Sequence, residues 1–510
     1  MPIPTSIPAY DWIAYQAANQ PQKLALLDLG SGRRLSYSAF DDRIGRLAAA
    51  LRAEGKVAPG DRVMVLGHNS SDVFEIQFAC ARLGAIFVPV NWRLAPPELV
   101  QIARHAAPTV LYFQPEFAET AAEMARQCGT SCVATFGAAD SDHERMIAAH
   151  APLVGPHPIT HDDVATILYT SGTTGMPKGV TITHGMRFWQ AINLAGPTRL
   201  NADTVCLTVL PLFHVGGLDV YANPCFHFGG TVLLMRGFDA AQCLRLLTDD
   251  EAAVTLFIGV PAMYLFMAQL PEFQAARFHP RLRATVGAAP IPLSQLRKWE
   301  ARGLALQMLY GMTETCGVIT ALDGADVVRK AGSSGKPALH MALRLVTPEG
   351  REAGTGETGE VWVKGPSVTP GYWRNEAANA AAFSDGWLRT GDAATRDAEG
   401  FITIVDRWKD MYISGGENVY PAEVEDVLYQ IPGIAEVAVI GIPDPQWGEV
   451  GCAVVVAKPD VGLTESDILR HCDGRLARYK QPRAIRFVDA LPRNATGKVH
   501  KPTLRALIRG

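Results

Sequence analysis

DRVMVLGHNSSDVFEIQFACARLGAIFVPV, residues 61–90, sets two apolar β-type runs, VMVL and AIFVPV, on either side of a longer helical pattern, DVFEIQFACARL. Parallel strands need a long connection, so a strand–helix–strand reading makes this the unit of a parallel sheet. The rhythm returns farther along. TVCLTVLPLFH (204–214) and TVLLM (231–235) add short strands, and most of the chain alternates in the same way. Near residue 340 it changes. ALRLVTPEG, GEVWVKG and GFITIVDR are short strands joined by Gly-rich turns, which predicts an antiparallel or barrel-like piece. After Arg407 a smaller α/β unit follows, with a helix in PAEVEDVLYQI, strands in EVAVIGI and CAVVVAK, and a helix near 464–477. The expected fold is α/β: a large N-terminal domain over 1–406 with α/β layers and the barrel-like piece, and a small mobile C-terminal α/β domain over 407–510.

Two stretches invite misreading. Residues 252–271, AAVTLFIGVPAMYLFMAQLP, carry no charge and reach the length of a membrane span. Gly259 and Pro261 interrupt them, so 255–260 reads as a buried strand and Pro261 as the opening of a helix, where proline is favoured. Gly354-Thr-Gly356-Glu-Thr-Gly359 matches G-x-G-x-x-G, but a dinucleotide motif must leave a strand and open a helix. Here it leads into the strand-like EVWV, so a hairpin turn is predicted.

Composition narrows the function classes. The 510 residues are 48% hydrophobic and 19% charged, with a formal net charge of −4, which suits a large core and gives no electrostatic case for nucleic acid as a partner. Nine scattered cysteines form neither a disulfide framework nor zinc-site spacing, so free thiols in a reducing cytoplasm are expected. The N-terminal MPIPTSIPAYDW has no basic or apolar leader pattern, and no transmembrane segment is predicted.

Chemistry enters at YTSGTTGMPKG, residues 169–179, directly after the apolar run VATIL. Gly, Ser and Pro clusters ordinarily mark mobile surface connections. Closely spaced glycines, hydroxyls and one lysine also suit an anion, because the backbone amides can converge on it. The loop is not a Walker motif: counting from Gly172, Pro177 stands where the second glycine belongs.

Further motifs follow in order: PLFH (211–214), YGMTET (310–315), RTGD (389–392), DRWKD (406–410) leading into SGGEN (414–418), and PRNATGK (492–498). Singly, Glu314 reads as a surface acid, Asp392 as a turn residue, Tyr310 as a core aromatic and His214 as a satisfied core histidine. As an ordered set they closely resemble the adenylate-forming superfamily of acyl-CoA synthetases, luciferases and peptide-synthetase adenylation domains, over roughly residues 10–505. That resemblance implies ATP, Mg²⁺ and coenzyme A as cofactors. Thr170, Ser171, Gly172, Thr173, Thr174, Gly175 and Lys178 would cradle the β- and γ-phosphates. Glu314 would hold Mg²⁺, and Thr313 would meet the α-phosphate. The nucleoside would fall to Tyr310, Gly311 and Met312, to the segment Gly287-Ala288-Ala289-Pro290, and to Asp392 at the ribose with Arg407 nearby. His214 would border the acyl pocket and the thiol channel. Lys498 would reach the carboxylate and α-phosphate during adenylation. Lys409 would be the hinge, and Gly415 and Gly416 would line the CoA tunnel.

The acyl pocket implied by the resemblance includes Gly216, Gly217, Val260 and Val318. No Lys or Arg stands in the stretches 214–218, 255–260 and 311–318 to pair with a second carboxylate. An apolar fatty, aryl or arylpropenoic acid is therefore expected. Asp219 is the charge nearby, with no orientation legible. A CoA ligase is the first reading, since the sequence stops soon after Lys498 with no carrier domain. A stand-alone enzyme loading a carrier protein is the second, and a non-catalytic nucleotide-binding protein on this fold is the third. The resemblance is also compatible with a homodimer.

Overall fold

The computed structural model describes residues 7–170, 177–289, 291–324, 326–407, 410–414, 417–459, 461–493 and 498–509. The opening stretch folds as predicted. Arg62–Leu66 and Ile86–Val90 pair in parallel across the helix Ser71–Leu83, which Ser70 caps and Gly84 ends in the left-handed region. They lie in a six-stranded sheet in the order Cys132–Thr135, Val110–Phe113, Arg62–Leu66, Ile86–Val90, Val164–Thr170, Lys178–Thr183. A nine-stranded sheet runs beside it. Its central strands, Arg283–Val286, Leu256–Gly259, Val205–Thr208, Thr231–Leu234 and Leu24–Asp28, are parallel, and both edges turn antiparallel. The uncharged stretch is the buried strand Leu256–Gly259 followed by the helix Pro261–Gln269 with proline in its first turn. Among the described residues no helix is long and apolar enough to cross a membrane.

The barrel-like piece is a five-stranded antiparallel sheet built on Ala342–Val346, Gly359–Lys364 and Trp387–Arg396, with its own apolar core. Gly354–Gly359 leads into its second strand, as a hairpin connection does. The last strand on this sheet is Ile402–Arg407, and the next, Tyr412–Ser414, belongs to another five-stranded sheet. That sheet has two apolar clusters, one per face, drawn from residues beyond 411. It carries the helices Pro421–Leu428, Glu465–Cys472 and Lys501–Arg509. The large α/β domain and the small one thus have separate cores.

One helix ties the large domain together. His184–Thr198 follows the antiparallel hairpin Val164–Thr170/Lys178–Thr183 and buries Arg187, Gln190 and Asn193, three residues apart and therefore on one face. Each reaches a different neighbour. Arg187 donates to Thr166 Oγ1 (2.6 Å) and pairs with Asp219 (2.8 Å). Gln190 Oε1 accepts from the Val318 N–H (3.2 Å), and Asn193 Oδ1 accepts from that of His340 (3.0 Å).

Candidate active site

The two described ends of the phosphate-loop candidate lie on paired antiparallel strands. Thr170 and Lys178 face each other across the pair, and Thr170 Oγ1 donates to the Lys178 carbonyl at 3.4 Å. Ser171, Gly172, Thr173, Thr174 and Gly175 lie outside the described residues. The segment Gly371–Trp373 lies along the second hairpin strand. Tyr372 bridges to Val180, the Trp373 N–H donates to the Gly179 carbonyl (2.7 Å), and the Thr181 N–H donates to that of Gly371 (3.1 Å). This pairing sets the Tyr372 ring 5.0 Å from the Lys178 ammonium, a cation–π distance.

Thr313 and Glu314 are presented by the single 3-10 turn Thr313–Thr315 between the strands Gln307–Met312 and Gly317–Ala321. The turn is tight enough that a Cβ on Gly311 would overlap the Gly317 carbonyl, so glycine is required there. Thr315 Oγ1 closes it by donating to the Met312 carbonyl (3.0 Å). Both presented side chains are buried. Glu314 Oε1 accepts from the Tyr372 hydroxyl at 2.9 Å, and the Glu314 carbonyl accepts from the Thr369 N–H at 2.7 Å. Burial, reinforced by the Glu314 carboxylate, raises the Tyr372 pKa, so the phenol keeps its proton and donates. A buried carboxylate oriented by a phenol beside this hairpin fits a hard divalent cation, which takes one or two carboxylates completed by phosphate oxygens.

Among the residues expected at the nucleoside, the Tyr310 hydroxyl donates to Asp392 Oδ2 at 2.7 Å. Asp392 sits opposite Arg407 in the antiparallel register, and its own N–H is held by Thr390 Oγ1 (3.1 Å). The Arg407 side chain lies outside the description, as does Pro290. Gly287 follows the strand Arg283–Val286, and its N–H donates to Gly259 (3.3 Å). Ala288 then takes φ +73°, a strained conformation for a residue with a Cβ, in an exposed turn whose next residue is Ala289.

His214 accepts the Gly216 N–H at Nδ1 (3.1 Å), so the neutral ring carries its proton on Nε2. Burial pushes its pKa down to about 4, and the Lys498 ammonium adds to the shift. Lys498, from the small domain, therefore lies within electrostatic reach of His214. Its neighbour Val499 bridges to Arg493. Val260 and Val318 are buried in one apolar cluster with Val215, Leu218, Val220 and Tyr221. Asp219 is turned away into its ion pair with Arg187 and a bond from Asn223 (2.6 Å).

Gly217 corrects an expectation. A Cβ there would sit 2.5 Å from the Leu210 carbonyl oxygen and closer still to that of Pro211. The missing bulk lets the backbone pass, and the position gains no open space from it. At Gly216 a Cβ would meet His214 Nδ1 and Leu210 Cδ1, each at 3.2 Å. Lys409, Gly415 and Gly416 lie outside the described residues. Sequence reading missed Tyr372 and Arg187. Gly371-Tyr372-Trp373 offered a faint signal, an aromatic pair after a glycine that adopts φ +146°.

The sequence model of the AMP-binding enzyme family matches residues 13–373, and that of the AMP-binding enzyme C-terminal domain matches 423–498. The chain belongs to this adenylate-forming family of AMP-binding enzymes. It is similar to an indoleacetate–CoA ligase of Aromatoleum aromaticum, 40% identical with 98% of each chain covered. A feruloyl-CoA synthase of an Amycolatopsis species is likewise 40% identical, with 97% of this chain and 98% of the relative covered. Both relatives are acid–CoA ligases. Among solved structures, ATP-bound MatB from Rhodopseudomonas palustris superposes with a TM-score of 0.90, at 33% identity over 98% of this chain and 99% of that one. The apo form of MatB, with the same coverage and 32% identity, gives 0.77.

Proposed function

We propose that this protein is an ATP-dependent acid–CoA ligase that works through an acyl-adenylate and takes an apolar aryl-acetic or arylpropenoic acid. The observation that carries the reading is Lys498: an ammonium from the small domain reaches the His214 side of the large-domain site. A carboxylate attacking the α-phosphate of ATP brings two anions together, so the protein must neutralise charge and hold geometry. Lys498 balances the carboxylate and α-phosphate while the phosphorus–oxygen bond to pyrophosphate breaks. Lys178 and the hairpin hold the β- and γ-phosphates, and Tyr310 with Asp392 holds the nucleoside. Magnesium, when bound, supplies further neutralisation of the departing pyrophosphate, with Glu314 as its protein ligand.

In the second step the CoA sulfur attacks the acyl carbonyl, the bond to AMP breaks, and the thiol proton is released. Lys498 cannot occupy the carbonyl's surroundings while a thiol approaches. The small domain, 407–510, therefore turns about Lys409, withdrawing Lys498 and bringing Gly415 and Gly416 to the pantetheine passage. The better fit to ATP-bound than to apo MatB supports the described arrangement as the adenylating one. An aryl acid is favoured by the likeness to the indoleacetate and feruloyl enzymes, and by an apolar cluster from which Asp219 is withdrawn.

The test is a panel of carboxylic acids with ATP, Mg²⁺ and either CoA or a pantetheinylated carrier protein. AMP and pyrophosphate should form, with CoA the faster acceptor and aryl acids ahead of fatty acids and acetate. ADP and phosphate as products would overturn the mechanism, and a faster carrier protein would overturn the acceptor.

A further inference from the structure

Two chemically distinct groups expected to meet the triphosphate, the Glu314 carboxylate and the Lys178 ammonium, come from elements far apart in sequence and meet on one aromatic side chain. The Tyr372 hydroxyl bonds Glu314 at 2.9 Å and its ring face lies 5.0 Å from the Lys178 ammonium. The segment around it is anchored to both elements at once. The Thr369 N–H donates to the Glu314 carbonyl (2.7 Å), Thr369 Oγ1 donates to the Thr181 carbonyl (2.6 Å), and Tyr372 bridges to Val180. The backbone is fixed in turn by Asn379, whose Oδ1 accepts the Tyr372 N–H at 2.6 Å. A Cβ on Gly371 would fall 2.7 Å from that same oxygen.

We propose that Tyr372 is a positioning residue for adenylation: its hydroxyl orients the Glu314 carboxylate toward the metal and its ring seats Lys178, so that one side chain sets the spacing between metal-binding and phosphate-binding groups. The inference rests on the reading of Glu314 as the metal's carboxylate. Partners that orient a metal ligand typically change metal affinity by about 10- to 100-fold when removed. The ring and the hydroxyl are separable by substitution. Tyr372→Phe keeps the face under Lys178 and removes the bond to Glu314, whereas Tyr372→Leu removes both.

The experiment uses the full chain with the α,β-methylene analogue of ATP, which cannot be cleaved to AMP, and Mn²⁺ as a spectroscopically visible metal. Electron paramagnetic resonance gives Mn²⁺ affinity for the enzyme–analogue complex, and calorimetry in EDTA gives metal-free affinity for the analogue. Tyr372→Phe should weaken Mn²⁺ binding about tenfold, at the lower end of that range, and leave metal-free analogue binding unchanged. Tyr372→Leu should weaken metal-free binding as well. Glu314→Gln is the control for the underlying reading. If it weakens Mn²⁺ while Tyr372→Phe titrates as the parent does, Tyr372 does not position the carboxylate and the inference fails alone. If Glu314→Gln also leaves Mn²⁺ unchanged, the assignment of Glu314 fails and takes the inference with it. Equal weakening of metal-bound and metal-free nucleotide by Tyr372→Phe would mark a merely structural residue. Should Tyr372→Leu fold poorly, Tyr372→Phe decides the question by itself.

Discussion

A cluster of acids and a single buried acid stand in contrast. Behind the helix Ser71–Leu83, Glu75 and Asp72 meet His143 and Glu144, and guanidinium groups fill the space between them. Arg43 pairs with Glu75 and Glu144 (2.7 Å each), and Arg33 pairs with Glu144 (2.6 Å) and with Asp72. His143 Nε2 bonds Glu75 at 2.7 Å, and both side chains are fully buried. Ligand atoms of Asp72, His143 and Glu144 lie within 4.8 Å of one another, as they would around a metal, but here arginines supply the positive charge. At Glu314 the carboxylate accepts a bond from a neutral phenol, that of Tyr372. A guanidinium cancels a carboxylate's charge; a phenol aims it and leaves it anionic. Buried acids matched to arginine hold the fold, and the one bonded by tyrosine is the acid proposed above as the metal's carboxylate.

Removing the acting charge should be the harshest test. Lys498→Ala should slow adenylate formation by about a thousandfold or more, in keeping with the weight of preorganised charge in catalysis. Thioester formation from a supplied acyl-adenylate should stay within a few-fold, and the melting temperature should hold. Equal loss of both half-reactions in a folded protein would remove the distinction between acting and holding charges. Arg43→Met should do the opposite. It leaves Glu75 buried without its guanidinium, at a cost of about 3–5 kcal/mol in chemical denaturation. Turnover per folded molecule should be unchanged.

Gly217→Ala should rank next, losing about 1–3 kcal/mol because its methyl group meets two carbonyls. Its kcat/KM should fall alike for acetate and aryl acids; a loss confined to bulky acids would restore Gly217 to the pocket.

How far sequence alone reached is visible in these same residues. The strand–helix–strand units and the break at Pro261 were legible because apolar period and proline chemistry act locally. Tyr310, Asp392, Glu314 and Lys498 were legible as members of an ordered set, and the bond from Tyr310 to Asp392, 82 residues away, draws two of them together. Tyr372 was not, since its meaning lies in a partner 58 residues distant and it reads as one aromatic among many. Gly217 misled because a missing side chain looks the same whether it makes room for substrate or for backbone. Asp219 had no orientation until Arg187, outside every quoted motif, supplied its partner.

The mildest effect concerns pH. Burial lowers the His143 pKa, but Asp72 and Glu75 overrule it, and the net shift is upward from 6.5. Its contribution is full below that value and fades as pH rises through the raised one. For Glu75, burial raises the pKa, but His143 and Arg43 carry it below 4.5, so its contribution is present above that value and fades in acid. The melting-temperature gap between the parent and His143→Gln should therefore be wider at pH 6 than at pH 9. A gap independent of pH would show that the histidine contributes packing and not charge. His214, held neutral down to about pH 4, should leave no inflection near 6.5 in the activity profile.

The three polar anchors on the helix His184–Thr198 also bear on how such an enzyme changes in evolution. One rigid rod sets the height of the hairpin Val164–Thr170/Lys178–Thr183 through Thr166, of the Asp219 turn through Arg187, of the strand after Glu314 through Val318, and of the antiparallel sheet's approach through His340. A lineage adapting to a new acid cannot tilt this rod without detuning its grip on ATP. Val260 and Val318, proposed to line the acid's pocket, make none of these four contacts through their side chains, so a methyl group gained or lost there leaves the rod in register.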